Sequence, residues 1–404
     1  MSSARLLLYV LLSSCAAVTT AVAQQDSASE KGAAKSSASV SATSSERLVL
    51  TPLVMRGGHQ PIPVKGGDAR YHLVYELDLE SFTGDRVSAE HLEVLNAGSG
   101  ATVAEFDAAK IAARLVVRDR QAVPGQFGAS QLGILYLHLI FDRPGEIPPA
   151  LDHRLAMSSQ GTTVSATAVR LRVLRPTELL LGAPLRGERF IAGDGCCDST
   201  RHVRATLSLN GRAFDAQRFA IDWEQLDTED RIYRGDPKNP NSYVIYGKPV
   251  YAVAAARVVA AVDGMANSPI GALPNLPVDK ADGNHVILDL GGHRFALYAH
   301  FKPHTVQVHE GEHVHLGQIL GMVGTSGNSS EPHLHFQVTD APSALLSNGV
   351  PYLLSRFTAT RRGASTAAFD KATSDGQPLE TVPLTGPADH AQELPLDLWI
   401  TDLP

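Results

Sequence analysis

At 404 residues the chain is too long for one ordinary hydrophobic core, so two domains with tails are expected. Its 35 Lys and Arg stand against 42 Asp and Glu, with no basic block, which makes nucleic acid a poor choice of partner. The first 25 residues, "MSSARLLLYVLLSSCAAVTTAVAQQ", carry one early cation at Arg5, an apolar run and small residues ending in Ala21-Val22-Ala23. This reads as a secretory signal (1–23) with an A-x-A cleavage site before Gln24. The run is too short and too rich in Ser and Ala for a membrane span. "LSSC" at 12–15 also resembles a lipoprotein box, which would make Cys15 a lipid anchor. Either processing route implies export to the periplasm, the cell envelope or the medium.

Residues 24–46 are Ser- and Ala-rich, lack large apolar side chains and read as a disordered tether. From 47 to 180 short β-branched and aromatic runs alternate with Gly, Pro and Asp: "YHLVYELDLESF" (71–82), "HLEVLNA" (91–97), "GILYLHLIFD" (133–142) and "TAVRLRVLRP" (167–176). Strands at this spacing predict a β-sandwich of immunoglobulin-like type, interrupted by one short helix near 107–116. His59, His72, His91, His138 and His153 are scattered singly, as surface or satisfied core histidines usually are. After cleavage at Ala23 only Cys196 and Cys197 remain, and they are adjacent. Two small buried or loop residues are expected there, ahead of a vicinal disulfide or a metal site, with no disulfide framework.

A second β-rich domain is expected over 181–345, with "DLGGHR" (289–294) as a hairpin turning at Gly291-Gly292. The segment 346–404 ends "ELPLDLWITDLP", whose Leu and aromatic content suggests that it packs back on a domain. Chemistry-bearing residues fall in four pieces of this half: His202 in "RHVRAT", Asp222 in "FAIDW", His300 in "LYAHF", and His333 and His335 in "PHLHF". His333 and His335 are two apart in a strand, so both imidazoles project to one face, ~6.6 Å apart at the backbone. Asp222 sits between apolar neighbours, where a carboxylate is costly unless paired or metal-bound. Spacing alone yields a candidate metal site on a β scaffold.

The succession "YGKPVYAVAAARVVAAVDG", "GNHVILDLGGHRFALYAHF" and "VHEGEHVHLGQILGMVGTSGNSSEPHLHFQV" resembles the lysostaphin-type (LytM-like) zinc metallopeptidases, which are largely peptidoglycan endopeptidases. The resemblance covers roughly residues 200–340. It implies an antiparallel β peptidase domain holding one zinc, with His335 and Asp222 as ligands. His333 would orient or stabilise the reacting oxygen, and His300 would act as general base or polarise the intermediate. The substrate implied is a peptide of bacterial cell-wall peptidoglycan.

One position departs from the family. A histidine is usual four residues before the aspartate, and here Arg218 stands there, which binds no cation. His202, twenty residues upstream of Asp222, is the expected replacement ligand. The Gly turn in "LNGRAF" (209–214) would bring it back antiparallel to the Asp222 strand. The lost histidine also suits a rival reading, a catalytically inactive lysostaphin-like regulator that binds and activates wall amidases. Against it, Asp222, His300, His333 and His335 all stand. His309, His313 and His315 in "VHEGEHVHLGQ" are expected to be exposed, without a metal role.

Overall fold

The computed structural model describes residues 48–118 and 122–404. The expected secretory leader, Cys15 and the expected Ser/Ala tether therefore lie outside the described residues. The chain is mainly β, as expected. No helix among the described residues is long and apolar enough to cross a membrane.

The N-terminal strands form two five-stranded sheets. The first runs Leu53–Gly57, Tyr71–Ser81, Leu132–Phe141 and Leu115–Val117, with Val64–Lys65 also against Tyr71–Ser81. The second runs Thr162–Arg172, Ala150–Ser159, Val87–Asn96 and Thr102–Asp107, with Gln126–Phe127 beside Val87–Asn96. Leu73, Tyr75 and Leu77 from the first sheet meet Leu92, Val94 and Leu155 from the second in one core. The residues between them point the other way, and Val74 joins the core of the following domain. That explains why Tyr71–Ser81 is buried on both faces. The short helix is Ala108–Ala112, half the length expected. Asp107 caps it by accepting from the Lys110 amide at 2.8 Å, and the chain returns to strand at Leu115.

The second half is built on one long sheet. Its spatial order includes Leu353–Gly363, Trp399–Leu403, Gly187–Gly193, Ile221–Gln225, Leu334–Thr339, Phe295–Ala299, His285–Asp289 and Ala256–Val262. The C-terminal segment thus adds strands to this sheet, Trp399–Leu403 pairing antiparallel with Gly187–Gly193. It also carries a helix that the sequence pattern did not announce, Thr366–Asp375, capped by Ser365 and ended by Gly376 at φ 63°. The expected hairpin joins His285–Asp289 to Phe295–Ala299 through Gly291 and Gly292, both at positive φ.

Period-two alternation divides this sheet into a core face and a site face. Ile221, Trp223, Tyr298, Leu334, Phe336 and Val338 enter the core. Asp222, Glu224, His335 and Gln337, the residues between them, therefore share the opposite face.

Candidate metal centre and cleft

Strand register builds the first part of the site. Asp222 lies directly opposite His335 in one antiparallel pair, and His335 lies opposite Ala299, the residue before His300, in the next. His300 ends its strand in the left-handed region at φ 66°, an uncommon conformation for a side-chain-bearing residue. There its Nδ1–H donates to the Ser326 carbonyl at 2.7 Å, leaving Nε2 as the acceptor nitrogen. That carbonyl is held by a tight turn: Gly327 follows at φ 78°, and a Cβ there would strike the backbone of Ala281 and Gly283. His333 is fixed likewise, Nδ1 donating to the Glu331 carbonyl at 2.9 Å.

His335 is oriented by a residue that the sequence motifs did not single out. The Gln337 side-chain amide donates to the Ala344 carbonyl at 2.7 Å, which turns its oxygen to accept from His335 Nε2 at 2.8 Å. His335 Nδ1 is then the lone-pair nitrogen, and it faces Asp222 Oδ1 at 2.7 Å. Two acceptors at that separation repel unless a proton or a cation lies between them. Gln337 was findable: it is two residues beyond His335 and so on the same face.

His202 completes the group, its Nε2 3.3 Å from Asp222 Oδ2. One donor atom from each of His202, Asp222 and His335 lies within 4.8 Å of the others, so these three could hold a metal ion. Two imidazoles and a carboxylate are the donor set zinc favours, and the opposed lone pairs of His335 and Asp222 fit a cation. The anticipated hairpin exists, but only as Leu207–Leu209 against Arg212–Phe214. His202 itself stands in a turn ahead of it and does not pair with the Asp222 strand.

The charges agree with this grouping. Burial opposes ionisation of Asp222, yet His202, His333 and His335 hold its carboxyl well below the usual range. Burial likewise opposes the charged form of His202, and Asp222 raises it to about 8. Burial, followed by His333 and His335, drives His300 well below the ordinary histidine range, so it is neutral at pH 7.

Arg218 is no displaced ligand. Its guanidinium is buried and turns away to Glu76 Oε2 at 2.8 Å and Asp215 Oδ2 at 3.3 Å. Glu76 belongs to the N-terminal sandwich, so this ion pair joins the two halves. The loop carrying His202 is tied to the same sandwich. Arg114 makes a two-pronged pair with Asp198 at 2.6 and 2.7 Å, and Arg204 bonds both Asp198 at 2.8 Å and the Ala113 carbonyl at 2.6 Å. Tyr136 and Thr206 share a hydroxyl hydrogen bond at 2.6 Å.

Cys196 and Cys197, expected to be unlinked, form a disulfide in this loop. Both are buried, as expected, and the peptide between them is cis. Two other donor groups are already engaged. Cys197, beside His72 and His138, is in the disulfide, and Glu76 and Asp215, beside His59, share Arg218. His309, His313 and His315 are exposed, as expected.

The site opens into a cleft of about 710 Å³ bordered by all five predicted residues and, on one wall, by Phe369 and Asp370 of the C-terminal helix. An antiparallel β domain presenting paired histidines and an aspartate from adjacent strands is the architecture that the resemblance implied. Residues 243–346 match peptidase family M23, and the chain carries a domain of that family. The matched span contains His300, His333 and His335; Asp222 and His202 precede it.

Among solved structures, the catalytic domain of lysostaphin from Staphylococcus simulans is 22% identical over 39% of this chain and 84% of its own, with a TM-score of 0.23. The catalytic domain of EnpA, a prophage-encoded M23 protein of Enterococcus faecalis, is 23% identical over 39% and 85%, with a TM-score of 0.22. A chain of the SpoIIIAH–SpoIIQ complex is 18% identical over 40% and 93%, with a TM-score of 0.26. No curated protein matches the chain.

Proposed function

We propose that the chain is an exported, zinc-dependent endopeptidase that hydrolyses peptide bonds in bacterial cell-wall peptidoglycan. The observation that carries this reading is the convergence of His202, Asp222 and His335, with His335 Nδ1 presented as a lone pair by Gln337. Zinc held there would supply Lewis acidity toward a scissile carbonyl and acidify water. His300 keeps one tautomer through Ser326, and its free Nε2 takes the proton of the attacking water. His333 turns Nε2 toward Asp222, 3.5 Å from Oδ1, where it can orient and stabilise the reacting oxygen. The leader read from residues 1–23 would place its action outside the cytoplasm, and the family match supports a wall peptide as substrate.

The deciding experiment measures zinc content and peptidoglycan hydrolysis for the mature protein, His202→Ala and His335→Ala. About one zinc per wild-type chain, lost in both variants together with hydrolysis, is the expected result. Zinc retained by His202→Ala alone removes that residue from the ligand set. Metal-free wild type rejects the peptidase and leaves the regulator reading that Arg218 first suggested, tested by stimulation of a wall amidase.

A further inference from the structure

Glu224 has no role in the chemistry above, yet it lies two residues beyond Asp222 on the same strand face and borders the cleft. It is 2% exposed, and its Oε2 has no hydrogen-bond partner. Neither Glu224 nor Glu331, which borders the cleft beside it, has an ion-pair partner among the described residues. Burial, followed by the acidic Glu331, Asp222 and Asp194, pushes the Glu224 carboxyl well above its ordinary range, with Arg201 as the opposing cation. Arg201 is already committed: it bonds both oxygens of Asp194 at 2.8 Å and Asp370 at 2.8 Å. Two acidic side chains that border the cleft are thus left without an ion-pair partner, and Lys238, which borders it too, bonds the Ile270 carbonyl at 3.3 Å instead. An unpaired buried carboxylate is costly, and such a cost persists where a ligand relieves it.

We propose that Glu224 and Glu331 form a subsite for a primary ammonium group on the peptide substrate, next to the metal centre. An ammonium is compact and carries three N–H donors, enough to bridge two carboxylates, whereas a planar guanidinium needs a wider fork. This rests on the peptidase reading for its place in the reaction, but the binding itself does not.

The test therefore uses ligands that are not cleaved. Nα-acetyl-lysine amide and its Nε-acetylated form are titrated into the zinc-loaded full chain and followed by NMR. The charged form should bind at least about tenfold more tightly. Glu224→Gln should reduce that preference below about twofold, and Glu331→Gln should reduce it in part, while affinity for the acetylated form and zinc content stay unchanged. Equal binding of the two compounds, no binding of either, or a preference that survives both substitutions overturns the subsite. Should Glu224→Gln not fold, the half-buried Glu331→Gln decides the question. A failure to hydrolyse wall peptides would count against the peptidase reading and leave this binding result standing.

Discussion

The proposed metal centre has two halves held by different physics. Asp222 and His335 face each other across adjacent strands, so the sheet's hydrogen-bond register alone sets their separation. His202 stands in a turn, and the turn is held by side chains of another domain: Arg114, the Ala113 carbonyl and Tyr136, with Glu76 fastening the stretch just before Asp222. A strand-borne ligand is as stable as its sheet. A loop-borne ligand is only as well placed as its most distant tether. By this account the N-terminal sandwich helps to build the proposed metal site, although none of its residues lies in the cleft.

The sharpest break of that comparison comes from removing a strand-borne ligand. His335→Ala should take zinc from about one per chain to below ~0.1 without unfolding the sheet, read by metal analysis beside circular dichroism. Retained metal would show that the lone-pair geometry set by Gln337 is not what binds it. Next comes the buried pair between the halves. Arg218→Met leaves Glu76 buried with no guanidinium and should cost about 3–5 kcal/mol in denaturant unfolding. Arg218→Met with Glu76→Met should recover part of that loss, because an apolar pair replaces a buried ion pair well while Asp215 still lacks its guanidinium. Arg218→His, which restores the family's usual residue, should behave like Arg218→Met and add no metal.

The same pair sets a pH dependence. Burial works against the Glu76 carboxylate, but Arg218 and then His59 bring it down to about 2 from 4.5. A folded pKa below the unfolded one stabilises above the unfolded value and is lost as pH falls through the folded one. The wild type should accordingly lose a stability increment between about pH 4.5 and 2 that Glu76→Gln lacks. Parallel acid-unfolding curves for the two proteins would refute the assignment.

The strand-held half of this site was legible in the sequence, and the loop-held half was legible only in part. "FAIDW" and "PHLHFQV" alternate so regularly that the pattern alone assigns Asp222, His335 and even Gln337 to one face. The hairpin at Gly291-Gly292 was readable for the same local reason. Arg218 was not: its partner Glu76 lies 142 residues away, and no pattern near either residue announces the pair. His202 was reached by elimination as the nearest upstream histidine, while the device that positions it was expected as a strand and is a tethered turn. The C-terminal strands were hidden for a related reason. Trp399–Leu403 reads as a tail because its partner, Gly187–Gly193, is two hundred residues earlier.

Gln337→Leu supplies an intermediate effect. It removes the acceptor that keeps His335 in its metal-ready tautomer and should weaken zinc binding by about 10–100-fold in a chelator competition. The smallest effect, and the one that most directly tests the two-halves account, belongs to Arg114→Ala. Arg114 is partly exposed and does not border the cleft, so a surface ion pair there would ordinarily contribute at most ~1 kcal/mol. Its partner Asp198 lies four residues before His202, however, and shares Arg204 with the Ala113 carbonyl. If the sandwich places His202, Arg114→Ala should weaken zinc binding severalfold while leaving the unfolding midpoint of the metal-free protein within ~0.5 kcal/mol of wild type. Arg114→Lys, which keeps the charge but loses the two-pronged geometry, should fall between the two. Zinc affinity unchanged in Arg114→Ala would mean that the disulfide loop and Asp222 hold His202 unaided, and the sandwich would then be a neighbour of the metal centre with no hand in building it.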